Sequence, residues 1–521
     1  MKKSILGIST LTLTVLYGLL AAIIILVVFI SGGNVLYGVI GSLIVLLIQF
    51  LISPWLTDIT MRWFYKAKFG EAIPEYLKEF IENECKLHNV KYPKIAIIHD
   101  GAPNAFTYGR TKKDARLVLT EGIFDLLKED EVKAVVAHEL GHIVHYDMLF
   151  MTAAQAVPLI LYAIYEATAG RSSSKDSDNS KAAIVGYIAY ILYVICQYII
   201  LYLSRTREYY ADSFSIEETK NPNSLAEALV KIGFGLSTNS TKKSTSNALG
   251  IFDVKSSKSM VVSCTDGKTV SKDKIKNAMK WEMWNPWAKW FEFNSTHPLI
   301  SKRLLAISKR SNEFNQEPYV VFDLKKTESY VDDFLLEILL VFSPVIILIV
   351  TILLALFVEP FNKYLFCAGL LLTVILSYLR FNRAHKNKDY KKTDVSELLS
   401  EVKVSGVTSV PCTLEGNIIG RGNPGCIFNE DFVIKDETGI IFLDYNQPLT
   451  IVNKIFALFK SEQYFNKTVK VTGWYRRSPV PYVEIKTMEV DGKVKKIWTY
   501  PLMKALYIIG LIAVAAVFVV L

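Results

Sequence analysis

The sequence predicts a mainly α-helical protein that crosses a membrane several times and carries two small β-rich parts. Three observations predict it. Half of the 521 residues are apolar (51%), and they gather in long runs. Two regions, 94–120 and 400–500, break instead into strand-length apolar stretches separated by Gly, Pro and Asp. Elsewhere the apolar residues recur at helical spacing.

The long runs come first. A helix rises about 1.5 Å per residue and the hydrocarbon core is roughly 30 Å thick, so about 18 or more apolar residues read as a span. Seven runs qualify: 4–30, 34–53, 148–168, 182–203, 333–358, 362–380 and 501–521. Pro158 and Glu166 leave 148–168 open to a cytosolic or half-buried helix. The first run follows Met1-Lys2-Lys3. It exceeds the roughly 7–15 apolar residues of a signal peptide, so a retained anchor is expected.

Lys and Arg set the orientation. They are dense in 54–147, 204–332 and 381–500, which are expected on the cytoplasmic side. The Ser-rich loop 169–181 is expected outside. The expectation is an integral protein of the cell (plasma) membrane, with the bilayer as one partner.

Between the runs, Tyr76, Leu77, Phe80, Ile81 and Leu87 mark an amphipathic helix. Lys94–His99, Asn104–Gly109 and Arg116–Thr120 read as three strands of a small sheet. From Asp130 an apolar stripe, Val132, Val135, Val136, Leu140, Ile143 and Val144, marks another helix. Glu129, Asp130 and Glu131 at its start favour an N-terminus. A further helix continues from the 182–203 run through Arg205 to Asp212. Residues 237–275 are polar and unpatterned and read as a mobile insert. Trp281, Trp284, Trp287 and Trp290 suggest a packed or membrane-interface segment, with an aromatic substrate box as the alternative. Between 400 and 500, short strands alternate with turns at Gly416, Gly420, Gly439 and Gly473, the pattern of a small β-barrel.

The net charge of +9 is what basic cytoplasmic loops bring, and it calls for no nucleic acid. Six scattered cysteines without a C-x-x-C pair give neither a disulfide framework nor a thiolate metal site.

The chemistry centres on His138-Glu139-Leu140-Gly141-His142. Residues four apart share a helix face, so both imidazoles can converge on one Zn²⁺. Glu139 sits beside that face, where it can take a proton from the metal-bound water and pass it to the leaving amine. The pattern alone arises by composition in roughly one chain in a hundred of this length, so it cannot stand alone. Gly141 costs a helix about 1 kcal/mol against alanine, tolerable where bulk would block the metal or a neighbouring helix. A third protein ligand is needed, and Glu208 offers one; an exposed helix carboxylate is the alternative. Asp212, one turn on, can accept the free N–H of a ligand histidine.

His138-Glu-Leu-Gly-His142-Ile-Val-His-Tyr-Asp147-Met and Ser204-Arg-Thr-Arg-Glu208-Tyr-Tyr-Ala-Asp212 resemble the HtpX-type membrane zinc metallopeptidases, relatives of the CAAX prenyl protease. Asn104-Ala105-Phe106 and Ser295-Thr296-His297-Pro298 followed by Arg303 extend the likeness over roughly residues 1–310. The resemblance implies a gluzincin-like zinc protease core of helices plus a small β-sheet. It implies one Zn²⁺ per chain on His138, His142 and Glu208, with Glu139 catalytic. It makes Asn104, Ala105 and Phe106 part of an edge strand that pairs with substrate, a geometry β-augmentation explains. His297 either stabilises the oxyanion, with Arg303 alongside at the substrate, or caps the chain before Pro298. Asp147 matches a family position of structural role. His88, His99, His145 and His385 lack such support and read as surface histidines.

The 400–500 module lies outside that core and resembles an OB-fold barrel. Tyr475, Arg476 and Arg477 could form a nucleic-acid patch or face anionic headgroups, and the second is favoured. The expected division is 1–53, two spans; 54–332, the peptidase domain with 148–168 and 182–203; 333–380, a hairpin of spans; 400–500, the OB-like module; and 501–521, a last span. The expected function is a zinc membrane endopeptidase that cuts membrane-bound protein substrates from the cytoplasmic side in quality control. The alternatives are a site-specific processing protease and an inactive scaffold presenting the module. Glu208 follows its span by five residues, about 7–8 Å, and His142 precedes the next by six, about 9 Å, so the site is expected near the interface.

Overall fold

The fold is that of a computed structural model. The structure describes residues 2–31, 35–65, 67–99, 104–169, 177–238, 272–321, 328–357, 363–421, 429–478 and 480–520. Two compact units emerge among them, one of 2–232 with 292–319 and one of 233–238, 272–291, 320–321 and 328–520. The insert 237–275 lies largely outside the described residues.

The first unit opens with α1 (Lys2–Ser31) and α2 (Val35–Phe64). A four-stranded sheet follows: β1 (Lys68–Phe69), β2 (Lys94–Ile98), β3 (Ala105–Gly109) and β4 (Ala115–Thr120), with α3 (Glu75–Leu87) after β1. Its order is β1-β2-β4-β3, so β3 is an edge. β2 and β4 run parallel, and β3 pairs antiparallel with β4 in the register Phe106↔Val118. The two-residue β1 carries no pattern that sequence could reveal.

After the short α4 (Glu121–Leu126) come α5 (Glu129–Val144), α6 (Asp147–Ala169), α7 (Ser177–Thr219) and α8 (Pro222–Thr238). α5 starts as its acidic turn predicts, and the Glu131 carboxylate accepts the Lys128 N–H at 2.9 Å. It ends at His145, and Tyr146, in the left-handed region at φ 61°, turns the chain directly into α6. α1, α6 and α7 bury one another through Leu16, Leu20, Val157, Leu161, Ala189 and Cys196. Trp281, Trp287 and Trp290 fall on α9 (Lys272–Trp284) and α10 (Pro286–Phe293), and α11 (Ile300–Ser311) closes the first unit.

In the second unit Trp281 is fully buried and donates to Val404 O at 2.7 Å, a packing role. Two long helices, α12 (Val331–Phe357) and α13 (Lys363–Ala384), lead to the module. It holds β5 (Lys391–Lys392), α14 (Val395–Ser400), β6 (Val410–Arg421), β7 (Phe432–Lys435), β8 (Ile440–Asp444), α15 (Thr450–Phe459), β9 (Thr468–Arg477), β10 (Pro481–Val490) and β11 (Lys493–Lys496). The barrel closes in the order β6-β7-β8-β10-β9-β6, with β8 and β10 parallel and α15 between the third and fourth strands. That is the OB-like arrangement expected. α16 (Thr499–Val520) ends the chain.

Six helices among the described residues are long and apolar enough to cross a membrane: α1, α6, α7, α12, α13 and α16. Seven spans were expected. The seventh expected run falls on α2, which is outside that group and has side chains outside the described residues.

Three readings need correction. Gly416 and Gly420 lie inside β6 and Gly473 inside β9, not in turns. A Cβ at Gly416 would come within 2.5 Å of Lys435 O, so the strands meet there too closely for a side chain. Tyr475, Arg476 and Arg477 are buried, not a lipid- or nucleic-acid-facing patch. The Arg477 guanidinium lies 4.7 Å over Trp281, and Arg476 donates to Ala384 O at 2.8 Å and pairs with Glu484. His145, expected at the surface, is also buried, edge-on to Phe214.

Candidate metal centre

α5 and α7 pack side by side, and Ser215 Oγ of α7 donates to Ala134 O of α5 at 2.6 Å. Gly141 permits the approach: a Cβ there would lie 3.2 Å from Ala211 Cα and Phe214 Cβ. The crossing brings His138 and His142 of α5 against Glu208 of α7. The two Nε2 atoms are 3.2 Å apart, and the Glu208 oxygens lie 3.7 Å from His138 Nε2 and 3.6 Å from His142 Nε2.

Three donors around one tetrahedral zinc at about 2.0–2.1 Å sit roughly 3.3 Å from one another, so the spacing fits such an ion. Both histidines have partners for their other nitrogen. His138 Nδ1 is 3.0 Å from Asp212 Oδ1, and His142 Nδ1 is 2.6 Å from Asp147 Oδ2. An N–H held at Nδ1 leaves the Nε2 lone pair aimed at the shared space.

A further layer holds these carboxylates. Arg303, fully buried on α11, donates to both Asp212 oxygens at 2.9 and 2.6 Å. The Asp212 charge keeps this guanidinium protonated despite its burial, raising its pKa above the ordinary arginine value. Its Nη1 also lies 3.5 Å from Glu208 Oε2, so it stands behind both carboxylates, and it is not among the residues that line the cleft. Arg207 pairs with Asp147 and donates to Ser9 Oγ of α1 at 2.5 Å. Arg205 donates to the carbonyls of Glu292, Phe293 and Ser295, fixing the segment that delivers His297. The arginines flanking Glu208 thus have structural partners that sequence could not supply, since Ser9 lies 198 positions away.

The site opens into a cleft of about 240 Å³, whose lining includes Phe106, Thr107, Glu139, His142, Glu208 and His297. Glu139 is buried, and Thr107 Oγ1 of edge strand β3 donates to its Oε2 at 3.0 Å. The sequence placed Thr107 only within the expected edge strand Asn104–Tyr108, and its bond to Glu139, 32 positions away, had no local signal. His297 Nδ1 lies 3.1 Å from Glu208 Oε2. Asn104 and Ala105 are buried against β4, with the Asn104 N–H on Thr120 Oγ1, while Phe106 reaches the cleft. Met148 and Met151 of α6 and Ser204 of α7 also line the cleft, so candidate spanning helices form part of it.

The spans and this donor set beside a carboxylate define the class: a membrane metallopeptidase. Comparison with known proteins gives the family. Residues 71–311 match Peptidase family M48. A "Protease HtpX homolog" of Methanothermobacter thermautotrophicus is 41% identical over 223 residues, 43% of this chain and 83% of that protein. One of Aeropyrum pernix is 30% identical over 270 residues, 50% of this chain and 81% of the relative. The crystal structure of S. mikatae Ste24p aligns at 19% identity and TM-score 0.34 over 58% of this chain and 65% of that one. The chain belongs to peptidase family M48.

Proposed function

We propose that the protein is a zinc-dependent endopeptidase that cuts membrane-bound polypeptides at the cytoplasmic face of the plasma membrane, in membrane-protein quality control. The observation that carries this reading is the convergence of His138 Nε2, His142 Nε2 and a Glu208 oxygen within 3.2–3.7 Å. The domain division is carried forward with it: chemistry belongs to 54–332, and the 400–500 barrel has none.

His138, His142 and Glu208 would hold one zinc ion. That ion supplies Lewis acidity towards the scissile carbonyl and makes water a stronger acid. This chain's own residues do the rest. β3 presents an edge beside the cleft, so an extended substrate can add to the sheet through main-chain bonds. Thr107 fixes the Glu139 carboxylate. Glu139 takes a proton from the attacking water and returns it to the leaving amine. His297 lines the cleft and is assigned to the developing oxyanion. Asp212, Asp147, Arg303 and Arg207 are positioning residues that keep both imidazoles in one tautomer.

The cytoplasmic assignment rests on the Lys and Arg density of 54–147 and 204–332. Membrane substrates are favoured because α6 and α7 line the cleft. The test is detergent-purified full chain assayed for metal content and casein cleavage. About one zinc per chain and cleavage blocked by a chelator are expected. Zinc-free protein, or cleavage indifferent to chelation, overturns the proposal.

A further inference from the structure

We propose that α15 of the barrel is an interfacial membrane anchor whose outer face inserts among phospholipid headgroups. Its inner face, Asn453, Phe456 and Ala457, is buried on the barrel. The outer face is apolar as well. Ile451, Val452, Ile455, Leu458 and Phe459 recur at i, i+1, i+4, i+7 and i+8, one helix face, and all are exposed. Phe459 is 79% exposed and Ile451 67%. Water penalises such a face on a surface helix, so it calls for an apolar partner.

The hydrogen bonds identify that partner. Gln447 Oε1 accepts from the Trp498 N–H at 3.1 Å, and Thr499 Oγ1 donates to Asn446 O. Asn453 Oδ1 of α15 accepts from the Gln447 N–H at 2.9 Å. The start of α15 is therefore tied to the first turn of α16, a candidate span. The end of α13 comes to the same place: Phe381 stacks on Tyr500 at 5.6 Å and 11°. Both candidate spans that flank the module meet it at one level, where Trp498 stands 60% exposed, as an interfacial tryptophan does.

The surroundings have the charge an anionic headgroup layer needs. Lys460 ends α15 and Lys496 ends the neighbouring β11, and both are exposed. Gln447 Nε2 donates to Lys496 O at 3.1 Å, fixing that strand beside the helix start. Amphipathic helices of this kind lie in the headgroup plane with basic residues at the rim. The partner is thus the phospholipid surface itself and not a second polypeptide.

Photo-crosslinking tests it on the full chain. p-Benzoylphenylalanine replaces Ile455, Phe459 or, as a control at the β10–β11 turn, Asp491. Each variant is reconstituted in vesicles of phosphatidylcholine and phosphatidylglycerol, irradiated and examined by mass spectrometry. Lipid adducts at 455 and 459 at least about tenfold above those at 491 are expected. Adducts to a second copy of the chain, or lipid yields at 455 and 459 no higher than at 491, overturn the proposal. Ile455 and Phe459 are exposed, so replacement there leaves the barrel core intact; Asp491 holds φ 51° and pairs with Lys467, so the melting temperature of that control variant is measured alongside.

Discussion

Replacing Gly141 with alanine separates two opposed effects by sign. In a helix without close neighbours the change stabilises by about 1 kcal/mol, since glycine costs that much against alanine. Here the new methyl would lie 3.2 Å from Ala211 Cα and from two carbons of Phe214. Carbon pairs rest at about 3.5–4.0 Å, so α5 and α7 must part by roughly 0.3–0.8 Å. Ala211 presents backbone there, which cannot swing aside. Overpacking of this kind costs about 1–3 kcal/mol, more than the propensity gain. The net loss is about 1 kcal/mol, a fall in Tm of roughly 2–4 °C for a unit of this size. The same displacement carries Glu208 away from His138 and His142. Metal sites hold their distances within about 0.2 Å, so zinc affinity should fall about tenfold or more. Thermal unfolding in detergent and a chelator-competition titration read the two effects. A variant with raised Tm and unchanged zinc affinity would refute the close-packing argument.

Other perturbations give separable outcomes. Glu139→Gln should retain zinc and lose activity to below a few per cent, because the amide cannot take the proton; substantial residual cleavage would remove Glu139 from the mechanism. Glu208→Gln should lose the metal itself, and unchanged zinc content would move the third ligand elsewhere. Asp147→Asn should weaken zinc binding about 10–100-fold through His142, measured by the same competition, and lower Tm as well, because the buried Arg207 loses its charge partner. In the barrel, burial and the charges of Asp431 and Glu484 push the Asp444 carboxyl up to about 7. Its folded pKa lies above the unfolded value of about 3.9, so its contribution is fully present below about pH 4 and is lost as pH rises through 7. Asp444→Asn should therefore stabilise the module at pH 8, on the order of 1–2 kcal/mol given its partial exposure, and do little at pH 4. Amide exchange of β8 at the two values checks this; equal gains at both would contradict the assignment.

Much of this was legible from order along the chain. The apolar runs predicted long helices to within a few residues at most ends because a membrane imposes a length that composition alone reveals. His138 and His142 were legible because helix geometry turns a spacing of four into a shared direction. The contacts that hold them were not. The bonds from Arg207 to Ser9 and from Arg303 to Asp212 join distant segments, and no local pattern marks such pairs. Arg476 and Arg477 misled because charged residues are usually exposed; in β9 they are covered by His385 and by Trp281 and lie beside the half-buried Glu484 and the buried Glu282. Gly416 and Gly473 misled for a related reason, since glycine marks close approach in a barrel wall as readily as it marks a turn.

α7 runs unbroken for 43 residues, about 64 Å, or twice the thickness of a bilayer core. Its apolar half and the half bearing Glu208 and Asp212 are one rod. α5 reaches α6 through only His145 and Tyr146. Anchor and proposed active site are therefore not modules in series. Trimming the chain at the membrane surface would cut the rod that carries a proposed ligand, so a soluble peptidase fragment cannot be excised. The barrel, hung between α13 and α16 with its own core, is by contrast the kind of cassette that evolution can add, exchange or drop.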